Sequence, residues 1–128
     1  MERELTRIRW FGDSCREQYW MVANQDLYTI ASIWNVVVIN FGVGLDRNSL
    51  YPCTTILPLY NRGSATGPTA ELLLAHVGGS HFVRLLLNDD NHPIPPINAT
   101  WFTARDPSVT GWEAPYQNRI NMWRCMTN

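Results

Sequence analysis

The chain has 128 residues, 45% of them hydrophobic and 16% charged, with a net charge of −1; this balance argues for one folded domain over residues 1–128 and against disorder. All ten basic residues are arginine, which excludes Schiff-base chemistry, a P-loop lysine and a polybasic membrane patch, and the absence of a basic excess argues against nucleic-acid binding. Apolar runs such as Val36–Ile39 are far too short to span a bilayer.

Leu5 and Ile8 are three apart among charges, as at the end of a short amphipathic helix, and Phe11–Cys15 reads as a loop. Asn24 can cap a helix in which Leu27, Ile30, Ala31 and Trp34 form one apolar stripe. That helix runs straight into Val36–Ile39, whose β-branched side chains predict a buried strand. A turn-rich loop follows, from Gly42 to Ser49. A second strand is expected within Leu50–Leu59, confined by Pro52 and Pro58 to an edge or an irregular path. Tyr60–Thr69 is a loop by composition. Leu72–Val77 and Phe82–Leu87, separated by Gly78-Gly79-Ser80-His81, predict a β-hairpin. Pro93-Ile94-Pro95-Pro96 must run extended. A last helix is expected to carry Trp112, Tyr116, Ile120 and Trp123 on one face, with Pro115 in its first turn. Together these elements predict an α+β domain: a small, mostly antiparallel sheet with a late β-hairpin, packed by two or three helices.

Few side chains suggest chemistry. His76, His81 and His92 are five and eleven apart with no cysteine or acidic cluster to complete a ligand set, so no metal is expected. Gly42-Val43-Gly44 lacks the third glycine and the setting of a phosphate loop, so no cofactor is expected either. Asp89-Asp90 reads as a solvated hairpin end, and His92 beside Pro93 as a solvated turn residue. The six tryptophans read as core rather than as a stacking surface for single strands. Three widely spaced cysteines, Cys15, Cys53 and Cys125, form neither a disulfide framework nor a zinc pattern. With no apolar stretch behind Met1-Glu2-Arg3-Glu4 to act as a signal peptide, they predict an intracellular, reducing compartment, nucleus or cytoplasm. Asn98-Ala99-Thr100 is a glycosylation sequon, a pattern too short to outweigh that reading. Cys53 is expected to be buried and inert, Cys125 exposed. What remains is cysteine–histidine chemistry. His81, at the start of the second hairpin strand beside a glycine turn, is placed as a general base would be, or as an edge histidine that bonds its own loop.

A series of segments falls in a familiar order: Trp20-Met21-Val22, Leu27–Val38, Leu57-Pro58-Leu59, Ser80–Leu87, Pro93–Pro96 and Trp101. Over roughly residues 5 to 124 the chain resembles the C-terminal half of an OTU-like (ovarian-tumour type) cysteine protease domain. The nearest variety is that of plant and fungal proteins related to Mutator-like transposases and far-red-impaired-response proteins. The resemblance implies a partial papain-like protease fold, a deubiquitinase-type activity, ubiquitin or a ubiquitin-like partner, and His81 as general base. The family's nucleophile lies in an upstream Gly-Asp-Gly-Asn-Cys motif that this chain begins too late to contain. Gly12-Asp13-Ser14-Cys15 is one residue short of that motif and matches a loop cysteine instead. Where the family has an Asp or Asn two residues after the histidine, this chain has Val83.

The expectation is therefore a catalytically incomplete protease-domain fragment, completed by the remainder of a larger protein or by another chain. Two alternatives stand beside it. One is an active cysteine hydrolase with Cys15 as nucleophile, His81 as base and Asp13 as orienter. The other is a non-enzymatic module whose sheet edge and proline run bind a peptide.

Overall fold

The computed structural model describes residues 25–42, 53–77, 81–87 and 89–127. The readings for Leu5–Ile8, Asp13, Cys15, Gly44–Ser49 and the Gly78–Ser80 turn lie outside these residues.

Helix α1 spans Gln25–Trp34. Leu27 and Ala31 of the expected stripe are fully buried, but Trp34 is 48% exposed and Tyr28 is buried in its place. The stripe rotates toward Tyr28 because its phenolic OH finds an acceptor, donating to Asn98 Oδ1 at 2.8 Å. One residue separates α1 from strand β1, Val36–Gly42. That residue, Asn35, has φ of 54°, the left-handed conformation that ends helices and that asparagine tolerates better than most residues. Its Nδ2 donates to Gly67 O at 3.1 Å, and its carbonyl accepts from Thr69 N at 2.9 Å and Thr69 Oγ1 at 3.1 Å. The helix-to-strand junction is thus pinned to the loop that leads into the next long strand.

β1 is buried through Val37, Val38, Ile39 and Asn40, as a strand covered on both faces must be. β2 is Thr54–Ile56, β3 is Ala70–Val77 and β4 is His81–Arg84. The sheet order is β2-β1-β3-β4. The outer pairings, β1 with β2 and β3 with β4, are antiparallel. The central pairing of β1 with β3 is parallel, with Val36 opposite Ala70 and Gly42 opposite His76. The sheet is therefore mixed, and the fold is α+β. The parallel pair arises because the Tyr60–Thr69 loop carries the chain across to the far side of β1 instead of turning back beside β2. The predicted hairpin forms, with Ala75 opposite Val83 and Val77 opposite His81. β4 ends at Arg84, and one further bond, Leu85 N to Leu73 O at 2.8 Å, extends the pairing.

The proline run lies against the short edge strand β2. Thr55 N donates to Pro96 O at 3.1 Å, Asn98 N donates to Thr55 O at 2.9 Å, and Thr55 Oγ1 donates to Pro95 O at 2.6 Å. Prolines supply only carbonyls, and the contact uses their carbonyls. Asn98 then caps a helix the sequence reading did not anticipate, α2 at Ala99–Ala104, accepting from Thr100 N at 3.1 Å. Trp101 in α2 is fully buried, and its Nε1 donates to Pro58 O at 2.8 Å. The last helix, α3, begins at Gln117, later than expected, because Pro115 sits in a separate 3-10 turn, Ala114–Tyr116. Ile120 and Trp112 join Leu27, Val37, Ile39, Ile56, Ile94 and Trp101 in one core. The tryptophan reading thus holds for Trp101 and Trp112 but not for Trp34.

Candidate functional site

His81 is the first residue of β4, with Val77 of β3 as its cross-strand neighbour. Val83, which stands where the resemblance would call for an Asp or Asn, is 44% exposed on the same strand. Cys15 and Asp13 lie outside the described residues, so the structure places the expected base on its strand and leaves its expected partners aside. Neither described cysteine is an activated nucleophile. Cys53 is only half-buried, its Sγ donates to Gly42 O at 3.6 Å, and burial pushes its thiol pKa upward despite that bond; a thiol held protonated is a poor nucleophile. Cys125 lies exposed near the end of α3.

Beside the β3–β4 hairpin is a cleft of about 300 Å³, bordered by Glu71, Arg84, Leu86, Asp90 and His92. One wall is a clamp built around Arg119 of α3. Its Nη1 and Nη2 donate to the two carboxylate oxygens of Glu71, at 2.5 and 3.0 Å. Nε donates to the carbonyl of His92 at 3.0 Å, and Nη2 also meets His92 Nε2 at 3.1 Å. A guanidinium has no lone pair to offer, so Nε2 accepts, and Nδ1 carries the proton that it shares with Pro93 O at 2.9 Å. His92 is therefore not the solvated turn residue expected of it. It is partly buried, tilted against Phe41 with ring centroids 6.0 Å apart, and both ring nitrogens are occupied. Asp89 and Asp90 are exposed, as a hairpin end requires, and Asp89 Oδ1 accepts from Asn91 N at 2.9 Å.

This geometry decides what the cleft can do. Among the described residues that border it there is no serine, threonine, cysteine or lysine, so its only candidate nucleophiles are carboxylates and an imidazole. Both ring nitrogens of its histidine are already hydrogen-bonded, Glu71 is held by Arg119 behind it, and its own cation, Arg84, is exposed. The clamp ties α3 to β3 and to the segment after β4; it is architecture. Tyr116 adjoins it, and burial, reinforced by the charge of Glu71 and opposed by Arg119, raises its pKa. The sequence reading missed Glu71 and Arg119. The available signals were a lone acid at the head of an apolar strand and a lone arginine beside Ile120 on an otherwise apolar helix face.

The proline run is likewise engaged within the chain. Pro95 is buried, and the Pro95 and Pro96 carbonyls serve β2, so this stretch is not a free recognition strip. Among the described residues no group of three or more His, Cys, Asp or Glu gathers as metal ligands would. None of the described helices is long and apolar enough to cross a membrane. Comparison with protein-family models, with curated proteins and with solved structures finds no match to this chain.

Proposed function

We propose that this chain is the C-terminal half of an OTU-like cysteine protease domain of the deubiquitinase type. In this reading His81 is the general base, and the nucleophile belongs to a segment other than these 128 residues. The observation that supports it is the position of His81 as the opening residue of β4, where a base of this family stands. The quoted segments also fall on successive elements: Leu27–Trp34 on α1, Val36–Val38 on β1, Leu57–Leu59 after β2, and the proline run along the sheet edge. The chemistry follows from the roles. The base takes the thiol proton, the thiolate attacks the carbonyl at the ubiquitin C-terminus, and the proton passes to the departing amine. A base without a thiolate performs none of these steps. The partners are ubiquitin or a ubiquitin-like protein, and an intracellular compartment belongs to the same reading.

A ubiquitin probe bearing a C-terminal electrophile tests it. The chain alone is expected to remain unlabelled. Fused behind the upstream half of an OTU-like domain, it is expected to be labelled, and His81→Ala should slow that labelling by about 10²–10⁴-fold, the usual worth of a general base. A folded fusion that stays inert, or one indifferent to His81→Ala, overturns the proposal. Labelling of the chain alone that disappears with Cys15→Ala would instead establish the active hydrolase of Cys15, His81 and Asp13.

A further inference from the structure

A second cavity, of about 290 Å³, lies along helix α1. Gln25, Tyr28, Thr29 and Ser32 recur at helical spacing and form one side of it; Leu59 and Tyr60, on the segment leaving β2, form the other. Both sides are held from behind. Tyr28 OH donates to Asn98 Oδ1 at 2.8 Å, and Leu59 N donates to Ser32 Oγ at 3.0 Å. The carbonyls of Pro58 and Leu59 accept from Trp101 Nε1 at 2.8 Å and from Asp106 N at 2.7 Å. The cavity is therefore formed before anything enters it, as small-molecule sites usually are.

Its chemistry selects an occupant. No charged residue borders it, and its walls are almost wholly apolar, so an ion entering would lose water and gain no counter-charge. Two of the bordering residues, Tyr28 and Ser32, are buried. The Tyr28 proton is spent on Asn98. Ser32 is 4% exposed; its Oγ accepts from Leu59 N and gives its own proton to no group among the described residues. A hydroxyl has one proton to donate, and a buried donor left unpaired is costly. An acceptor inside the cavity relieves that cost. The rings of Tyr28 and Tyr60 favour contact with another ring. An apolar cavity of about 150 Å³ already admits benzene, so this one has room for a ring bearing a short substituent.

We propose that this cavity binds a small uncharged molecule composed of an aromatic ring and one carbonyl group. The carbonyl accepts from Ser32 Oγ, and the ring lies against Tyr28, Leu59 and Tyr60. This site does not depend on the protease reading.

Titration of the isotope-labelled full chain with acetophenone and with ethylbenzene, in which a methylene replaces the carbonyl, tests it by NMR. Both probes are expected to shift the amides of Tyr28, Ser32, Leu59 and Tyr60. Ser32→Ala should weaken acetophenone by about three- to tenfold, the worth of one hydrogen bond, and leave ethylbenzene within about twofold. Thr29→Phe places a ring at the half-buried border of the cavity and should abolish binding of both. Benzoate, which carries a charge in place of the neutral carbonyl, should bind at least about tenfold more weakly than acetophenone. Should Ser32→Ala lose its folded spectrum because Leu59 N has no acceptor, Ser32→Cys takes its place: the thiol still offers a weak acceptor but is a poor donor, and the same selective loss is expected. A full chain that binds neither probe, amide shifts confined to other residues, binding indifferent to Thr29→Phe, or a Ser32 variant that leaves acetophenone unchanged or weakens both probes equally overturns the proposal.

Discussion

Arg119 joins three stretches of chain through one planar group: Glu71 of β3, His92 after β4, and α3 itself. Its side chain is 12% exposed and that of Glu71 29%, so the pair is neither a surface ion pair of negligible worth nor a fully desolvated one. Arg119→Ala strips the partner from a half-buried carboxylate and from both acceptors of His92. It should lower stability by about 1–3 kcal/mol, read as a shift in urea midpoint at unchanged slope. Tyr28 makes a second argument at this scale. Burial pushes its phenol from 10.0 to about 12, so the folded chain favours the neutral form more than the unfolded chain does. The resulting stability is intact below pH 10 and is lost as pH rises from 10 toward 12. Denaturation midpoints taken from pH 9 to pH 12 should fall, and Tyr28→Phe should flatten that fall. Tyr116, also raised by burial, retains part of the slope. Neither residue stood out in the sequence. Tyr28 and Asn98 are 70 positions apart, and Arg119 and Glu71 are 48 apart, beyond the reach of any local periodicity.

At the scale of elements, the junction of α1 with β1 was legible because the hydrophobic spacing changes from helical to continuous within three residues. The hairpin was legible from two apolar runs flanking a glycine turn. So was the position of His81, which opens β4 for the same reason. Three features were not. α2 is six residues long, too short to show a stripe, and its cap Asn98 reads equally well as a sequon. Which strand pairs with β1 on its far side is a question of topology, and no residue in β3 specifies a parallel neighbour. The role of His92 depends on a helix that begins 25 positions later. The junction itself can be tested. Asn35 must hold φ of 54° and give a hydrogen bond to Gly67 O. Asn35→Ala forces a Cβ into a conformation alanine disfavours and removes the donor, which should cost about 1–3 kcal/mol. Asn35→Gly relieves the backbone but still lacks the donor, and should fall between wild type and Asn35→Ala in the same denaturation series.

At the scale of the molecule, the covering of β2 governs the arithmetic of assembly. Pro93, Pro95 and Pro96 have no N–H to offer outward, and the bonds the segment makes with β2 face inward toward Thr55. A sheet with two open edges is a bivalent monomer, and bivalent monomers polymerise. With one edge closed by prolines, one of the two places where a further strand could add is gone. A fibre built by strand addition needs contacts at both edges of each unit, and the proline cover withholds one of them.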